Sequence, residues 1–374
     1  IIIHVTGIKI LSFQMTSHIT LLFFLILFTL ASAISLQFNK KGEFTILQIT
    51  DLHFCEDDTK DANTQKLERK LIQKSKPDLV VISGDAISGH WSAAQPGRFE
   101  KCLSKALEPI VEAKIPYVYI LGNHDAQGLL NRKQIIQLDQ ENPLSVRKGC
   151  EGIPDTSNFI LPIFSGKDHD KIAVNVWLFD SGNKGCDGFA DTWGCVEPEV
   201  LDWYDDQSQQ FKKEHGTDVH HIAFVHIPVP EFTHLINNKE IYGTMIGEIP
   251  CCPYVNTGLF EHIKKNGDIS AMFVGHDHTN NIGGYLDGIE LVYGQKTGYG
   301  AYGNERGGKV IKFKEDKNGK VIRSHYIIHE NGELIRPENP KRWRNASFSC
   351  PYFGYEPLGS FKRMLWNFKG WLKN

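Results

Sequence analysis

ISAMFVGHDHTN, residues 269–280, places two histidines, one residue apart, directly after an apolar run. The run predicts a buried strand, so His276 and His278 are expected at its carboxyl end. Two imidazoles in this position favour a metal site, but crowded packing would also explain them, because a pattern this short recurs by chance. The choice between the two explanations depends on the partners that the rest of the chain supplies.

Four other predicted strands also end in side chains that bind metals. Their ends read ITDLH (49–53), SGD (83–85), GNHD (122–125) and VH (225–226). Taken singly, ITDLH, SGD and VH are more typical of turns or packed histidines, whereas GNHD has more polar groups than a turn needs. Packing explains poorly why all of them occur together. The candidate ligands are Asp51, His53, Asp85, Asn123, His226, His276 and His278.

The candidate ligands combine carboxylate and amide oxygens with imidazole nitrogens. The strand ends of an open α/β sheet share one crevice, so residues that are far apart in sequence converge there. Zinc, iron and manganese accept such mixed ligands, whereas calcium prefers oxygen alone. The sequence therefore predicts a site for one of these three metals at the carboxyl ends of the strands.

Strand and helix patterns alternate along the first half of the chain. Apolar runs bounded by Gly and Asp favour a largely parallel sheet that is buried on both faces. One domain with two sheets is the simplest arrangement, with long loops at 141–171 and 227–255. Strands are predicted at 44–51, 78–85, 117–125, 172–181, 221–226 and 269–278, and helices at 60–75, 98–113, 128–140 and 198–214. The later segments IELVYG, GGKVIKF and VIRSHYII also read as strands.

The ordered set DLH, GD, GNHD, VH and GHDH resembles the calcineurin-like metallophosphoesterase superfamily. The segments FVHIPVPEF (224–232), FVGHDHTNNIGGY (273–285) and YGQKTGYGAYG (293–303) are similar to short, single-domain purple-acid-phosphatase-like proteins of plants. The resemblance covers residues 43–330. It implies an α/β fold, a four-layer α/β/β/α sandwich with a dinuclear site at the carboxyl ends of the strands.

The same resemblance assigns a role to each candidate residue. One metal would be held by Asp51, His53, Asp85 and His278, and the other by Asp85, Asn123, His226 and His276, so that Asp85 bridges them. Two divalent or mixed-valence ions of iron, zinc or manganese are expected. His124 would assist the leaving group, and Asp125 is expected to orient it.

The expected function is a dinuclear metal-dependent phosphohydrolase that uses a metal-activated water. A secreted phosphomonoesterase similar to acid phosphatases is the first choice. A phosphodiesterase acting on nucleotides or phospholipid head groups uses the same chemistry, and the motifs do not separate the two. A non-catalytic metal-binding protein is less favoured, because neither a ligand nor His124 is missing.

One position departs from the purple acid phosphatases. Those enzymes carry a tyrosine three residues after the bridging aspartate, and its phenolate on ferric iron gives their colour. GDAISG places Ser88 there, and the first motif contains a histidine, His53, that theirs lacks. Ferric-tyrosinate chemistry is therefore not expected, and we predict that iron-loaded protein has no strong visible charge-transfer band.

The overall charge gives no help in attracting an anionic partner. The formal net charge is -3 and the pI is near 6.6, so binding of nucleic acid by bulk charge is not expected. The expected partner is a small phosphoester substrate, attracted locally by the bound metals.

The N-terminal part, residues 1–33, reads as upstream residues followed by a secretory signal peptide. Met15 is the first candidate start, 19–30 is apolar but short for a membrane span, and Ala31-Ser32-Ala33 fits a cleavage site. An uncleaved anchor or a longer natural N-terminus are the alternatives. The protein is expected to be secreted, or vacuolar or lysosomal.

A phosphoesterase domain is predicted at 34–340 and a basic, aromatic tail at 341–374. The tail could lie on a membrane surface, but docking on the domain is the favoured prediction. The sequon at Asn345 agrees with secretion. The chain has eight cysteines, of which Cys186 and Cys195 are the favoured disulfide, whereas the adjacent Cys251 and Cys252 are each expected to have a different partner.

Overall fold

The computed structural model describes residues 34–89, 95–147, 152–153, 156–338, 340–342 and 347–351. Its helices are α1 (Asp58–Ser75), α2 (Arg98–Glu112), α3 (Arg132–Glu141), α4 (Pro198–His215), α5 (Glu231–Asn238) and α6 (Leu259–Asn266). Its strands are β1 (Glu43–Ile49), β2 (Leu79–Ser83), β3 (Tyr117–Ile120), β4 (Phe159–Phe164), β5 (Ile172–Phe179), β6 (Lys184–Cys186), β7 (Phe189–Trp193), β8 (His220–Val225), β9 (Glu240–Tyr242), β10 (Ile269–Val274), β11 (Gly283–Leu286), β12 (Ile289–Tyr293), β13 (Gly307–Glu315), β14 (Val321–His329), β15 (Leu334–Ile335) and β16 (Lys341–Arg342).

The strands form two large sheets and one hairpin. The six-stranded sheet has the order β15-β14-β13-β1-β2-β3, the eight-stranded sheet has the order β16-β9-β11-β12-β10-β8-β5-β4, and β6 pairs with β7. Strands β1, β2 and β3 are parallel to one another, as are β5, β8, β10 and β12. These parallel strands are flanked by antiparallel ones in both sheets.

The prediction of largely parallel sheets is therefore only half correct, since both sheets are mixed. The connection between β13 and β14 shows why. It contains only the few residues 316–320, and a parallel pair needs a crossover of a dozen or more. The segments around it thus pair as an antiparallel hairpin, with Val310 opposite Tyr326.

The helices cover the outer faces of both sheets. Leu71 of α1 and Leu103 of α2 belong to one buried cluster with β1–β3, and Tyr204 of α4 and Ile263 of α6 belong to another with β5, β8 and β10. The central strands are buried along their whole length, as strands covered on two faces must be. The result is the expected α/β/β/α order of layers.

The two segments predicted as long loops contain regular structure. Strand β4 lies within 141–171, and α5 and β9 lie within 227–255. Their sequence signals are weak, because Pro162 interrupts the β4 pattern and β9 has only three residues. Strand β4 accommodates its proline at the edge of the eight-stranded sheet, where one side needs no ladder partner.

Three disulfides join described residues. Cys186–Cys195 confirms the predicted pair, and Cys55–Cys102 and Cys252–Cys350 complete the set. Cys252 has its own partner, as expected, whereas Cys251 forms no disulfide with a described cysteine; Cys150 lies outside the described residues. The backbone N–H of Cys251 donates to Asp277, and its thiol contacts the carbonyl of Ile249.

The described residues of the C-terminal segment pack on the domain. Strand β16 extends the eight-stranded sheet, and Phe348 packs against its core and bonds Asn237. The predictions for residues 1–33, for Asn345 and for residues 352–374 concern positions outside the described residues. Within the described part of the chain, no helix has the length and apolar character to cross a membrane.

Candidate metal centre

The candidate ligands lie where strands of both sheets end. β1, β2 and β3 lead into the first three motifs, and β8 and β10 lead into the last two. Backbone hydrogen bonds connect these ends: the N–H of Asp51 donates to Gly84, and that of Gly275 donates to His226. The Asp51 carboxylate accepts the N–H of His276 from the other sheet at 3.2 Å.

Local backbone geometry explains why the motifs have these residues. Four candidate ligands have positive φ values, namely Asp51 (54°), His53 (50°), Asp85 (52°) and His276 (73°). Such conformations are costly for residues with a side chain and cluster at functional sites. The glycines allow close approach, because a Cβ on Gly84 would collide with the ring of His226 and one on Gly122 would collide with Asp85.

The first group of ligands converges on one point. The side-chain ligand atoms of Asp51, His53, Asp85 and His278 lie within 4.8 Å of one another, and all four residues are buried. His278 Nε2 is 3.4 Å from Asp51 Oδ1 and 3.1 Å from His53 Nε2. Ligands held about 2.0–2.2 Å from one zinc ion are about 3.3–3.6 Å apart, so these distances fit a shared ion.

The second group lies beside the first and shares Asp85 with it. His226 and His276 complete the group, again with ligand atoms within 4.8 Å. His226 Nε2 is 3.2 Å from Asp85 Oδ2 and 3.1 Å from Asn123 Oδ1, which places the asparagine amide at the same point. The structure thus brings together all seven residues that the motifs nominated.

The two carboxylate oxygens of Asp85 have different surroundings. Oδ1 accepts the backbone N–H of His124 at 2.8 Å. Oδ2 is buried, accepts no hydrogen bond among the described residues and lies 3.2 Å from His226 Nε2, and His276 Nε2 is likewise buried without a hydrogen-bond partner there. Buried polar atoms are rarely left unpaired, so these atoms fit a site that is completed by cations.

Three of the four candidate ligand histidines have Nδ1 within hydrogen-bonding distance of an oxygen. His226 Nδ1 is 2.8 Å from the carbonyl of Ser83, and His278 Nδ1 is 3.2 Å from the carbonyl of Tyr302. His53 Nδ1 is 3.1 Å from the hydroxyl of Ser88. A carbonyl only accepts, so it requires the proton on Nδ1 and leaves Nε2 as the metal-binding nitrogen.

Burial and neighbouring charges shift the pKa values of these groups in opposite directions. Burial lowers the pKa of His276 to about 3. Burial also opposes the charged form of His226, but the Asp85 carboxylate outweighs it and raises the pKa of His226 to about 9. Without metal, His226 therefore carries a second ring proton at neutral pH, and a metal must displace it from Nε2.

His124 lies at the edge of the centre, with its ring centroid 5.2 Å from that of His53. The structure corrects the partner predicted for it. Gln127, not Asp125, is the residue at its Nδ1, with Oε1 2.8 Å away.

Asp125 has a different position from the one predicted. Its carboxylate is buried and accepts the backbone N–H groups of Asp85 at 2.9 Å, Ile87 at 3.0 Å and Gly122 at 2.7 Å. It therefore joins the loops after β2 and β3. The pattern GNHD placed it beside His124 in sequence, but backbone donors from two loops satisfy its oxygens more completely than one ring N–H would.

The residues between and after the two histidines of GHDHTNN hold a neighbouring loop. Asp277 accepts the N–H of Cys251, Asn280 accepts that of Gly247, and Asn281 accepts that of Met245. His276 and His278 face the centre, while these alternate side chains fix residues 244–251 beside it.

Sequence reasoning missed several residues close to the centre. Lys296 is buried and donates to the carbonyl of Asp51 at 3.0 Å. Trp193 and Tyr302 pack against the rings of His276 and His278, with centroid distances of 4.6 and 4.2 Å. From the sequence, the tyrosines and glycines of TGYGAYG (297–303), which include Tyr302, fit either lining of the site or strand-end packing. No local pattern indicates Trp193, whose position depends on the disulfide-closed β6–β7 hairpin.

Comparison with known proteins agrees with this geometry. The calcineurin-like phosphoesterase family model matches residues 44–280. The chain is 30% identical over 320 residues to "Probable inactive purple acid phosphatase 29" of Arabidopsis thaliana, covering 76% of this chain and 80% of that protein. It is 27% identical over 277 residues to "Phosphatase DCR2" of Saccharomyces cerevisiae, covering 66% of this chain and 46% of that protein.

A solved structure shares the fold. The crystal structure of a dimetal phosphatase from Danio rerio is similar with a TM-score of 0.51 and 12% identity, covering 79% of this chain and 99% of that one. The chain belongs to the calcineurin-like phosphoesterase family and is similar to purple-acid-phosphatase-like proteins. It is a metallophosphoesterase, and its two buried ligand groups support two metal ions.

Proposed function

We propose that this protein is a dinuclear metal-dependent phosphomonoesterase of the secretory pathway. The single observation that carries the proposal is the pair of ligand groups sharing Asp85, with His124 at the edge. When bound, the ions supply positive charge to the phosphoryl group and lower the pKa of water near it. Asp51, His53, Asp85 and His278 would hold one ion, and Asp85, Asn123, His226 and His276 would hold the other.

The chain's own residues then have distinct tasks. Asp85 Oδ1 accepts the N–H of His124, so the side chain that both ligand groups share and the residue proposed to serve the leaving group are held together. Gln127 accepts from Nδ1–H and holds the ring of His124 in place. His124 gives its Nε2 proton to the departing alkoxide oxygen, which makes a poor leaving group better.

Transit through the secretory pathway is supported by the three disulfides, which persist in oxidising compartments, and by the apolar segment before Ala33. Two disulfides attach segments near the centre. Cys55 follows the first ligand motif, and Cys186–Cys195 closes the hairpin that carries Trp193. We propose cleavage after Ala33, which N-terminal sequencing of secreted protein checks.

The experiment that tests the function measures turnover and metal content on the same preparation. Purified protein is loaded with Zn²⁺, Mn²⁺ or Fe²⁺, and hydrolysis of a phosphomonoester and of a phosphodiester is followed before and after chelation. We expect monoester turnover to be faster and to disappear with the metals. Faster diester turnover would replace the proposal with a phosphodiesterase.

The Arabidopsis relative is named a probable inactive purple acid phosphatase, which raises the question of whether this chain has the residues that hydrolysis needs. A protein that holds the metals but cannot hydrolyse esters is expected to lack a ligand or the leaving-group histidine. Neither is missing here, since the seven ligand candidates converge and His124 is in place. Metal-loaded protein that hydrolyses neither ester would overturn the proposal.

A further inference from the structure

Ser88 is in an unusual position among the groups that contact the histidines of the centre. His226 and His278 each have Nδ1 near a backbone carbonyl, which can only accept a hydrogen bond. His53 instead has Nδ1 3.1 Å from the Ser88 hydroxyl, which can donate or accept. The tautomer of His53 is therefore not fixed by Ser88 alone, but by what holds the hydroxyl proton.

Glu56 accepts the hydrogen bond that the Ser88 hydroxyl donates. The Ser88 hydroxyl donates to Glu56 Oε1 at 2.6 Å, and the backbone N–H of Ala301 donates to Oε2 at 2.7 Å. Lys60 Nζ is 3.3 Å from the same Oε2. Both oxygens of Glu56 thus face donors, which is the environment of an ionised carboxylate that only accepts.

The direction of the hydrogen bonds between His53, Ser88 and Glu56 follows from counting protons. Ser88 has one hydroxyl proton, and the contact with Glu56 uses it, so the serine oxygen accepts from His53. Nδ1 of His53 must then carry the proton, and Nε2 presents its lone pair. Nε2 is the nitrogen that lies 3.1 Å from His278 Nε2 and 3.7 Å from Asp85 Oδ2, inside the first ligand group.

We propose that Glu56 and Ser88 are positioning residues that set the tautomer and orientation of His53, so that one of the two metal positions depends on them. The inference rests on the proposed two-metal function, but it concerns metal affinity and not turnover. Partners that orient a ligand histidine in this way typically change metal affinity by about 10–100-fold.

The test compares two buried serines. Ser88→Ala removes the hydroxyl that contacts His53. Ser208→Ala is the matched control, because Ser208 is buried and also donates to a carboxylate at 2.6 Å, that of Asp268, which follows α6. Zn²⁺ content per chain is measured by elemental analysis in a series of buffers with fixed free Zn²⁺, and thermal unfolding of the metal-free proteins is recorded beside it.

We expect Ser88→Ala to need about 10–100-fold more free Zn²⁺ to fill one of its two positions, with the other unchanged. Ser208→Ala should fill both positions as the wild type does. Ser88→Thr keeps the hydroxyl and should restore the affinity. Unchanged affinity at both positions in Ser88→Ala would overturn the proposal, as would equal weakening of both, which would assign the effect to Asp85.

Glu56→Gln gives a second, independent variant. Glutamine has one acceptor oxygen, so it can satisfy either Ser88 or Ala301 but not both, and we expect the same single position to weaken. A variant of either residue that binds both ions normally despite a lower melting temperature would show a purely structural role. Wild-type protein that binds no metal would instead contradict the proposed function and is seen before any variant is made.

Discussion

The metal centre and a second buried cluster of charged side chains differ in whether they fit metal ions. The metal centre gathers the carboxylates of Asp51 and Asp85 with four histidines. The second cluster, which we call the Glu290 cluster, comprises Glu290 with Tyr242, Arg323 and His325. It joins β14 of the six-stranded sheet to β9 and β12 of the eight-stranded one.

The clusters differ in how the negative charge is satisfied. Both oxygens of Glu290 are engaged, one by Arg323 at 2.6 Å and the other by Tyr242 at 2.5 Å and His325 at 3.1 Å. The atoms left over there are Arg323 Nε and His325 Nδ1, and a cation does not bind beside a guanidinium. At the centre, Asp85 Oδ2 accepts no hydrogen bond from a described donor and lies 3.2 Å from His226 Nε2, a nitrogen that can itself bind a metal.

An ion site inside a protein is recognised by more than buried acids and histidines. Burial of acids and histidines is common to both clusters, and burial alone therefore indicates nothing about metals. The chemical type of the atoms that lack a hydrogen bond decides, because a carboxylate oxygen that accepts no hydrogen bond and lies beside imidazole nitrogens attracts a cation.

The largest effect is expected for Asp85→Asn. The substitution removes the one negative charge that both ligand groups share, so metal content should fall from two ions to fewer than one per chain. Monoester turnover should fall by on the order of 10³ or more, since the charge that stabilises the transition state is lost with the ions. Elemental analysis and steady-state kinetics on one preparation measure both.

The control is Glu290→Gln, which also changes a buried carboxylate to an amide. It should keep two ions per chain. If Asp85→Asn also keeps two ions and near-normal turnover, the two clusters do not differ in the way proposed, and Asp85 is not a bridge.

A smaller effect on turnover is expected for His124→Ala, with the metals retained. Loss of the proton donor should lower kcat by on the order of 10²–10⁴ for an alkyl phosphate. The loss should be smaller for an aryl phosphate with an acidic phenol, whose oxygen departs without protonation. Both esters are assayed beside metal analysis.

The alternatives for His124 are distinguishable in the same assay. Equal losses on both esters would indicate that His124 acts by charge or position and not by proton transfer. Loss of metal in this variant would show that the residue is a ligand or a support for Asn123, and the assigned role would be wrong.

Metal affinity should depend on pH at the centre. The pKa of His226 is raised to about 9 in the metal-free protein, so below that pH a metal competes with a proton for Nε2. Apparent affinity should weaken by about tenfold for each pH unit below 9 down to neutral pH. Titration with buffered Mn²⁺ at three pH values checks this, and an affinity that does not change with pH would contradict it.

The smallest effect on the centre, and a clear effect on stability, is expected for Glu290→Gln. Burial raises the pKa of Glu290, but the hydrogen bond from His325 and the charge of Arg323 outweigh it and lower the value from 4.5 to about 2. Loss of this charge leaves Arg323 buried and unpaired, and should lower the free energy of unfolding by about 3 kcal/mol at neutral pH.

The sign of the pH dependence follows from the lowered pKa. The stabilisation by Glu290 is complete above the unfolded pKa near 4.5 and is lost as the pH falls towards 2, so wild type and variant should converge in acid. Denaturant unfolding at pH 7 and pH 3 measures this. Reduced metal content in Glu290→Gln would show that the clusters are not independent.

The sequence predicted the ligands of the centre better than their surroundings. Asp51, Asp85 and His276 follow apolar strands, and strand ends in such sheets meet, so convergence could be inferred without coordinates. The roles of Asp125 and Gln127 could not, because both residues follow His124 closely and only the turn geometry decides which one reaches its ring.

Long-range contacts were also beyond the sequence. The Glu290 cluster joins strands that are remote in sequence, with 35 positions between Glu290 and His325 and 83 between Tyr242 and His325, and none of its members stands in a recognisable motif. The antiparallel strands β13 and β14 were predicted as strands, but their pairing depends on connection length and not on periodicity. Ser88 was noted for the tyrosine that it replaces, whereas its contact with His53 requires the folded chain.

The most direct measurement of the central claim is a crystal structure of the metal-loaded protein, with anomalous scattering recorded for the metal. We predict two anomalous peaks per chain about 3.5–4 Å apart, on either side of Asp85 Oδ2. One lies among Asp51, His53 and His278, and the other among Asn123, His226 and His276. A single peak, or peaks away from Asp85 in fully loaded and active protein, would contradict the two-metal centre.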